Sequence, residues 1–398
     1  MELVFQDYTN VGGFLRSKKM KCMNRVVSKS FVIVVLLALT VIPIRAIASE
    51  NITTEQSGRF KILGPFTHRN LAIYLVKGKD VIRKTKFVTL EQALKDGKVT
   101  VSETGNVRSL VISSMYDEEY VFIQAGDIVK GGKQDRTLNT DLIVPPGAKK
   151  IPLQSFCVES GRWRARGKEE VDKFSMSSNQ VASRDLRIAS RYRGSQQEVW
   201  DNAADLQEKL SNNVGKSVKS PISSSSLELT LGNKDVEKHA KEYIDALRGI
   251  IKDTKHIIGF VFAINGQLNT AEVYGSEDLF RQLWPKLLRT AAVEAFAELK
   301  KDKHFNAPST KAAAVFLEYP GESQVKRNRI NDWLTAITHE GKDKVIFESL
   351  FSEEHALVHV TTVRMDERDR LKPRSRQFQQ SLEQNQYQNL QQERQRRR

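Results

Sequence analysis

A strongly apolar run, Ile257–Ile264, ends in Asn265-Gly266, and strand-forming residues resume over Asn269–Tyr274. Asn-Gly accepts the positive backbone angles of two-residue hairpin turns, so this stretch commits the chain to an antiparallel pair. β-branched or aromatic segments bounded by turn residues recur at Leu71–Val76, Val99–Glu103, Val107–Ser113, Tyr120–Gln124, Asp127–Val129, Asp141–Val144 and Ser155–Glu159, predicting a first half that is mostly β. Helical signals sit between and after them. Thr89 with Gln92 in capping-box spacing predicts a short helix to Asp96. Ala240, Tyr243, Ile244 and Leu247 give helical periodicity to Val236–Ile251. Ser276 caps a long amphipathic helix to about Lys300, where Leu279, Leu283, Leu287 and Leu288 form a core face and Pro285 marks a kink or boundary. Strands are expected at Ala313–Leu317, Lys344–Ser349 and His355–Thr362.

The expected fold class is α+β: a β-rich N-terminal half, then an α+β C-terminal half with a helix-covered antiparallel or mixed sheet. The β-rich part spans 58–165 and a polar helical connector 166–234, with Ser220-Pro221 and the Ser223–Ser226 run as a mobile joint. The α+β part spans 235–365. Residues 366–398 form a Gln/Arg-rich tail with few apolar residues to bury, for which disorder is the default.

The N-terminus carries an address. Basic residues up to Lys29 precede a short apolar run, Phe31–Ile44, and then Ala46-Ile47-Ala48 before Ser49. That is the order of a secretory signal, and the run falls short of the roughly 20 residues a spanning helix needs. Residues 1–48 therefore read as a signal peptide or an N-terminal membrane anchor, with Met20 or Met23 as alternative starts. The expected location is the periplasm, cell envelope or extracellular space. Cys22 precedes the apolar run, unlike a lipoprotein cysteine, and cleavage after Ala48 leaves Cys157 without an internal disulfide partner. Asn51-Ile52-Thr53 is a sequon that matters only in a eukaryotic secretory pathway.

Of the 398 residues, 63 are Lys or Arg and 48 Asp or Glu, a net charge of +15 that favours anionic neighbours. The densest polar cluster runs from Gly126 to Trp163. Gly131 and Gly132 let the backbone bend and approach a ligand before Lys133-Gln134-Asp135-Arg136. Exposed amides beside Lys133 and Arg136 suit a phosphate, and Arg adds a bidentate fork. Asp127, Asp135, Asp141 and Glu159 are the carboxylates able to accept hydroxyls, hold a metal or act as a general base, and Trp163 can stack on a ring. We take Asp127, Asp135 and Glu159 as the candidate catalytic groups. Gly131, Gly132, Lys133, Gln134, Arg136, Arg162 and Trp163 are the candidate ligand-binding residues. The bland alternative is a bulge and two turns with solvated charges.

Other motifs are weaker. Gly-x4-Gly-Lys-Ser/Thr and Gly-x-Ser-x-Gly are absent, so neither a P-loop nor a nucleophile elbow is present. His355 and His359 would share a strand face, but without a helical His-Glu-x-x-His they predict packing rather than zinc, and no metal site is assigned. Cys157 reads as buried and structural. No cofactor is indicated.

Around Gly126-Asp127, Gly131–Arg136 and Phe156–Trp163, and again at Gly259–Gly266, Tyr274-Gly275-Ser276 and Leu283–Leu288, the sequence resembles the ARG and rhodanese-phosphatase-superfamily-associated protein family, where ARG stands for ADP-ribosylglycohydrolase. The resemblance covers about 58–365. It implies association with ADP-ribose- and NAD-processing proteins and brings no catalytic assignment. Two functions follow. One is an exported protein binding an anionic, nucleotide-like small molecule at the polar cluster, with no motif establishing turnover. The other is a non-catalytic envelope protein tethered to an anionic membrane surface or polymer through its tail, which from Arg364 on holds ten basic against five acidic residues. Export and sparse aromatics weigh against nucleic acid as a partner.

Overall fold

Asn265 and Gly266 both take positive φ, 52° and 76°, and close the hairpin at the centre of the fold. In the computed structural model, which describes residues 53–57, 60–106, 108–161 and 174–371, eighteen strands and eight α-helices alternate. The first stretch contains β1 (Thr53–Ser57), β2 (Phe60–His68), β3 (Leu71–Lys77), β4 (Phe87–Thr89), α1 (Leu90–Lys95), β5 (Val99–Glu103), β6 (Ser109–Ser114) and β7 (Tyr120–Ile123). It continues through β8 (Asp127–Gly131), β9 (Arg136–Leu138), β10 (Leu142–Val144), β11 (Ile151–Cys157) and β12 (Phe174–Val181). Next come α2 (Arg184–Arg187), which runs into a π-helical turn (Ile188–Arg193), α3 (Gln196–Val214), α4 (Leu227–Leu231) and α5 (Lys234–Leu247). The last stretch is β13 (Ile257–Ile264), β14 (Gln267–Tyr274), α6 (Glu277–Ala297), α7 (Thr310–Leu317), β15 (Gln324–Arg329), β16 (Leu334–Glu340), β17 (Lys344–Phe351), β18 (Ala356–Arg364) and α8 (Glu367–Leu371).

Nine strands form one antiparallel sheet in the order β1-β2-β3-β13-β14-β18-β17-β16-β15, so the two ends of the described chain share a single sheet. A six-stranded sheet, β12-β8-β9-β11-β6-β5, and a three-stranded one, β10-β7-β4, hold the intervening β-rich stretch. Among the described residues only β4 and β7 run parallel, so the sheets are predominantly antiparallel, as fits an α+β chain. Helices α3, α5 and α6 cover one face of the large sheet, where Leu71, Ile73, Phe260 and Phe262 meet Leu206, Leu247, Leu283 and Leu287. Val101, Ile112, Val121 and Leu138 centre a second core. Ala313, Ala314 and Phe316 of α7 cover part of the opposite face of the large sheet.

Local signals explain most elements. Thr89 Oγ1 caps α1 by accepting from Gln92 N, whereas the Gln92 side chain turns to Asp96 instead of closing the capping box. Ser276 caps α6, which continues through Pro285 without ending, its apolar face holding the helix together across the missing donor. Four readings need correction. Ala313–Leu317 is helical, because Ser309 caps it and three alanines favour a helix; short apolar runs do not distinguish strand from helix. The connector expected to be helical over 166–234 contains β12, paired with β8, before its helices begin. The Ser223–Ser226 joint is docked, as described below. Asp366–Leu371, placed in the tail by composition, packs against α2 and the π-helical turn.

Candidate functional site

The glycine pair predicted to bend the backbone does so. Gly131 has φ 123° and Gly132 φ 53°, and a Cβ at Gly132 would lie 2.5 Å from the Phe174 ring. The turn directs side chains inward. Asp135 is fully buried; its Oδ1 accepts from Gly131 N (3.1 Å) and its Oδ2 from Ser226 Oγ (3.3 Å). Glu159, equally buried, accepts from Asp135 N (3.4 Å) and from Ser223 Oγ (2.6 Å). Gln134 donates to the Glu159 carbonyl (2.9 Å). The Arg136 guanidinium donates to the Gln134 carbonyl (2.9 Å) and faces Glu103 at 3.5 Å. The serine run is thus a latch over two carboxylates. Lys133 is exposed. Arg162 and Trp163 lie outside the described residues. Asp127 joins a different set: it pairs with Lys286 of α6 at 2.5 Å and accepts from Gln124 N. Cys157 is buried, and burial pushes its thiol up.

Beyond Gln124 lies a charge network that sequence reasoning did not assemble. His359 of β18 is fully buried between two carboxylates, with Nδ1 2.9 Å from Asp141 Oδ2 and Nε2 2.8 Å from Glu272 Oε2. Arg187 pairs with Glu272, and Arg191 reaches Asp141 at 3.3 Å. Ser349 donates to Asp141 (2.6 Å), and Tyr274 stacks on the imidazole at 4.5 Å. Burial alone would lower the His359 pKa, but Asp141 and Glu272 outweigh it and raise it. Burial alone would raise Asp141, but His359 and Arg191 hold it well below the usual carboxylate range. A carboxylate at each ring nitrogen suits an imidazolium, whose two N–H groups both donate. The His355–His359 pairing does not form a site, since His355 is exposed in a turn with φ 48°. Among the described residues no group of three or more His, Cys, Asp or Glu is placed to hold a metal.

Accessible chemistry sits at the other end of α2. A polar cleft of about 300 Å³ opens between α2, α3, the β13–β14 turn, the end of α6 and the β18–α8 junction. Glu294, 7% exposed, lines it. Its Oε1 accepts from Arg184 N (3.2 Å) and its Oε2 lies 3.4 Å from Asn269 Nδ2. Burial pushes this carboxyl up to about 8, against the pull of Arg187, while Asp185 adds to the rise. Glu294 is therefore neutral over much of the range in which ordinary carboxyls are charged. Arg184 and Arg364 line the same cleft. Arg184 is held by Asp185, Asp366 and Asp369. Arg364 is half-buried, and its Nε is enclosed without a hydrogen-bond partner among the described residues. The half-buried Phe305 adds an aromatic face. Asp185, Asp205, Glu298 and Asp366 also line the cleft, so its charge is mixed, and its cations, neutral carboxyl, amide and ring can together recognise a ligand bearing hydroxyls as well as anionic groups. No local motif marks this cleft, because its residues come from five separated segments.

Neither a curated protein nor a solved structure matches this chain. The family model of the ARG and Rhodanese-Phosphatase-superfamily-associated Protein domain matches residues 59–363, and the chain belongs to that family.

Proposed function

We propose that this chain is an exported protein that binds a small anionic, nucleotide-like ligand in the cleft formed by Arg184, Asn269, Glu294 and Arg364. The observation that carries the reading is the Arg364 guanidinium, whose enclosed Nε has no partner among the described residues. A phosphate or carboxylate oxygen entering the cleft would meet the half-buried Arg364 side chain, whose planar fork binds such groups bidentately. Glu294, neutral near pH 7, can donate to a ligand hydroxyl while Asn269 supplies amide chemistry beside it. Family association with ADP-ribose-processing proteins supports a nucleotide-like ligand, and the basic, apolar and small-residue segments before Ser49 support export. The cleft suits the ligand better than the 131–136 turn, because Asp135 and Glu159 are fully buried and hydrogen-bonded to each other, and Arg136, 1% exposed, is engaged with Gln134 and Glu103.

The test is thermal unfolding of the full chain with ADP-ribose, NAD, nucleotides and inorganic phosphate. A ligand at a hundredfold its Kd adds about 2.7 kcal/mol of stability. The expected result is a rise in Tm with ADP-ribose or NAD that Arg364→Ala abolishes. No rise with any of these ligands would instead support the envelope-tethering function of the basic tail.

A further inference from the structure

The face of the large sheet opposite α5 and α6 is covered by α7 only in part. On that same face, at the β2, β3, β13, β14 and β18 strands, lies an open groove of about 630 Å³. The partly exposed Phe60, Leu357 and Val360 contribute apolar surface over the buried Ile258 and Val273, and Val81, 42% exposed, stands beside them. The polar lining has one sign. Among the described residues, Lys61, Lys77, Lys79 and His256 line the groove and no acidic side chain does. Among the described residues none of the three lysines forms an ion pair, although 48 acids are available to the chain. Elsewhere cations on this protein pair readily, as Lys209 does with Asp205 and Glu298 at 2.7 Å each. Gly78 belongs to the same lining, and a Cβ there would fall 2.3 Å from Ile258 Cδ1.

We infer that this groove binds a single-chain anionic amphiphile, a fatty-acid carboxylate or alkyl phosphate, with its chain on the apolar side chains and its head among the lysines. Apolar surface left open to water is favourable to cover, and lysines with no ion pair among the described residues add charge complementarity. A peptide strand fits poorly. β3, β13, β14 and β18 are interior strands, each hydrogen-bonded on both sides, so they offer no free backbone edge for strand addition. A membrane surface is also disfavoured, since the feature is concave and bilayer contact calls for a protruding apolar face. The site is separate from the Arg184–Glu294 cleft, and no residue lines both.

Calorimetric titration of the full chain with monomeric dodecanoate tests this, with dodecyltrimethylammonium as a control of the same chain length and opposite charge. The expected result is one dodecanoate per chain, bound at least tenfold tighter than the cation. Lys77→Glu/Lys79→Glu should weaken dodecanoate at least tenfold and favour the cation. Val81→Asp, at an exposed side chain, should weaken dodecanoate likewise, and thermal unfolding of the ligand-free variants should match the parent. Absence of dodecanoate binding, equal affinity for both head groups, or indifference to the substitutions would overturn the proposal. So would cosedimentation with phosphatidylglycerol vesicles, lost in Lys77→Glu/Lys79→Glu, without binding of the monomer.

Discussion

Replacing Glu294 by Gln tests the electrostatics of the cleft without any ligand. The carboxyl stands at about 8 in the folded chain, against an ordinary value of 4.5 when unfolded. Between those values the unfolded chain has released the proton and the folded chain still holds it. The folded state then binds more protons, so raising the pH subtracts stability until Glu294 ionises in both states. Each tenfold difference in proton affinity is worth 1.36 kcal/mol, so the span from 4.5 to 8 gives a ceiling on the order of 5 kcal/mol. Solvent entry from the cleft will trim this, and a difference of about 2 to 4 kcal/mol is expected. Gln imitates the neutral carboxyl and does not titrate, so the variant escapes the loss. The assay is urea unfolding of both proteins at pH 5, 7 and 9, compared through the difference in their free energies, which cancels every other titrating group. Glu294→Gln should be near parity at pH 5 and gain steadily to pH 9. A difference independent of pH would refute the reasoning, and so would a variant that loses ground as pH rises.

Two further outcomes follow from the buried pairs. Lys286→Met leaves Asp127 buried without its cation and should cost about 3–5 kcal/mol in urea unfolding, with much of it recovered in Lys286→Met/Asp127→Asn; a loss below about 1 kcal/mol would mean the pair contributes little. Asp366→Asn/Asp369→Asn removes two carboxylates held by Arg184 in the cleft, and should tighten ADP-ribose binding severalfold in calorimetry, because the ligand no longer displaces an internal anion. Unchanged affinity would place the ligand away from Arg184.

Local chemistry was legible from the residues alone. Asn265-Gly266 marked the β13–β14 hairpin, Thr89 and Ser276 marked two helix starts, and the spaced motifs from Gly126 to Leu288 pointed to the family that the match over 59–363 shows. These features depend on backbone preferences and periodicity within a few residues. Ala313–Leu317 is helical where its residues suggest a strand, because a short apolar run carries no period and the capping serine four residues ahead decides it. The glycine turn at 131–132 was visible, but its partners were not. Glu159 and the serines at 223 and 226 come from distant segments, and only the folded chain brings their hydroxyls onto the buried carboxylates.

Sequence by itself determined the class of fold, the hairpin at its centre, the excess of positive charge and the family. Tertiary structure alone decided which charges are paired, which are sealed and which face a cleft. His359 meets Asp141 across 218 positions and Glu272 across 87, and Arg184 reaches Glu294 across 110. Sequence spacing cannot express such contacts, because they depend on strand order in a sheet built from both ends of the described chain. Burial then sets the chemistry: the same carboxyl that would ionise near 4.5 in water stays neutral to about 8 where the fold has taken the water away.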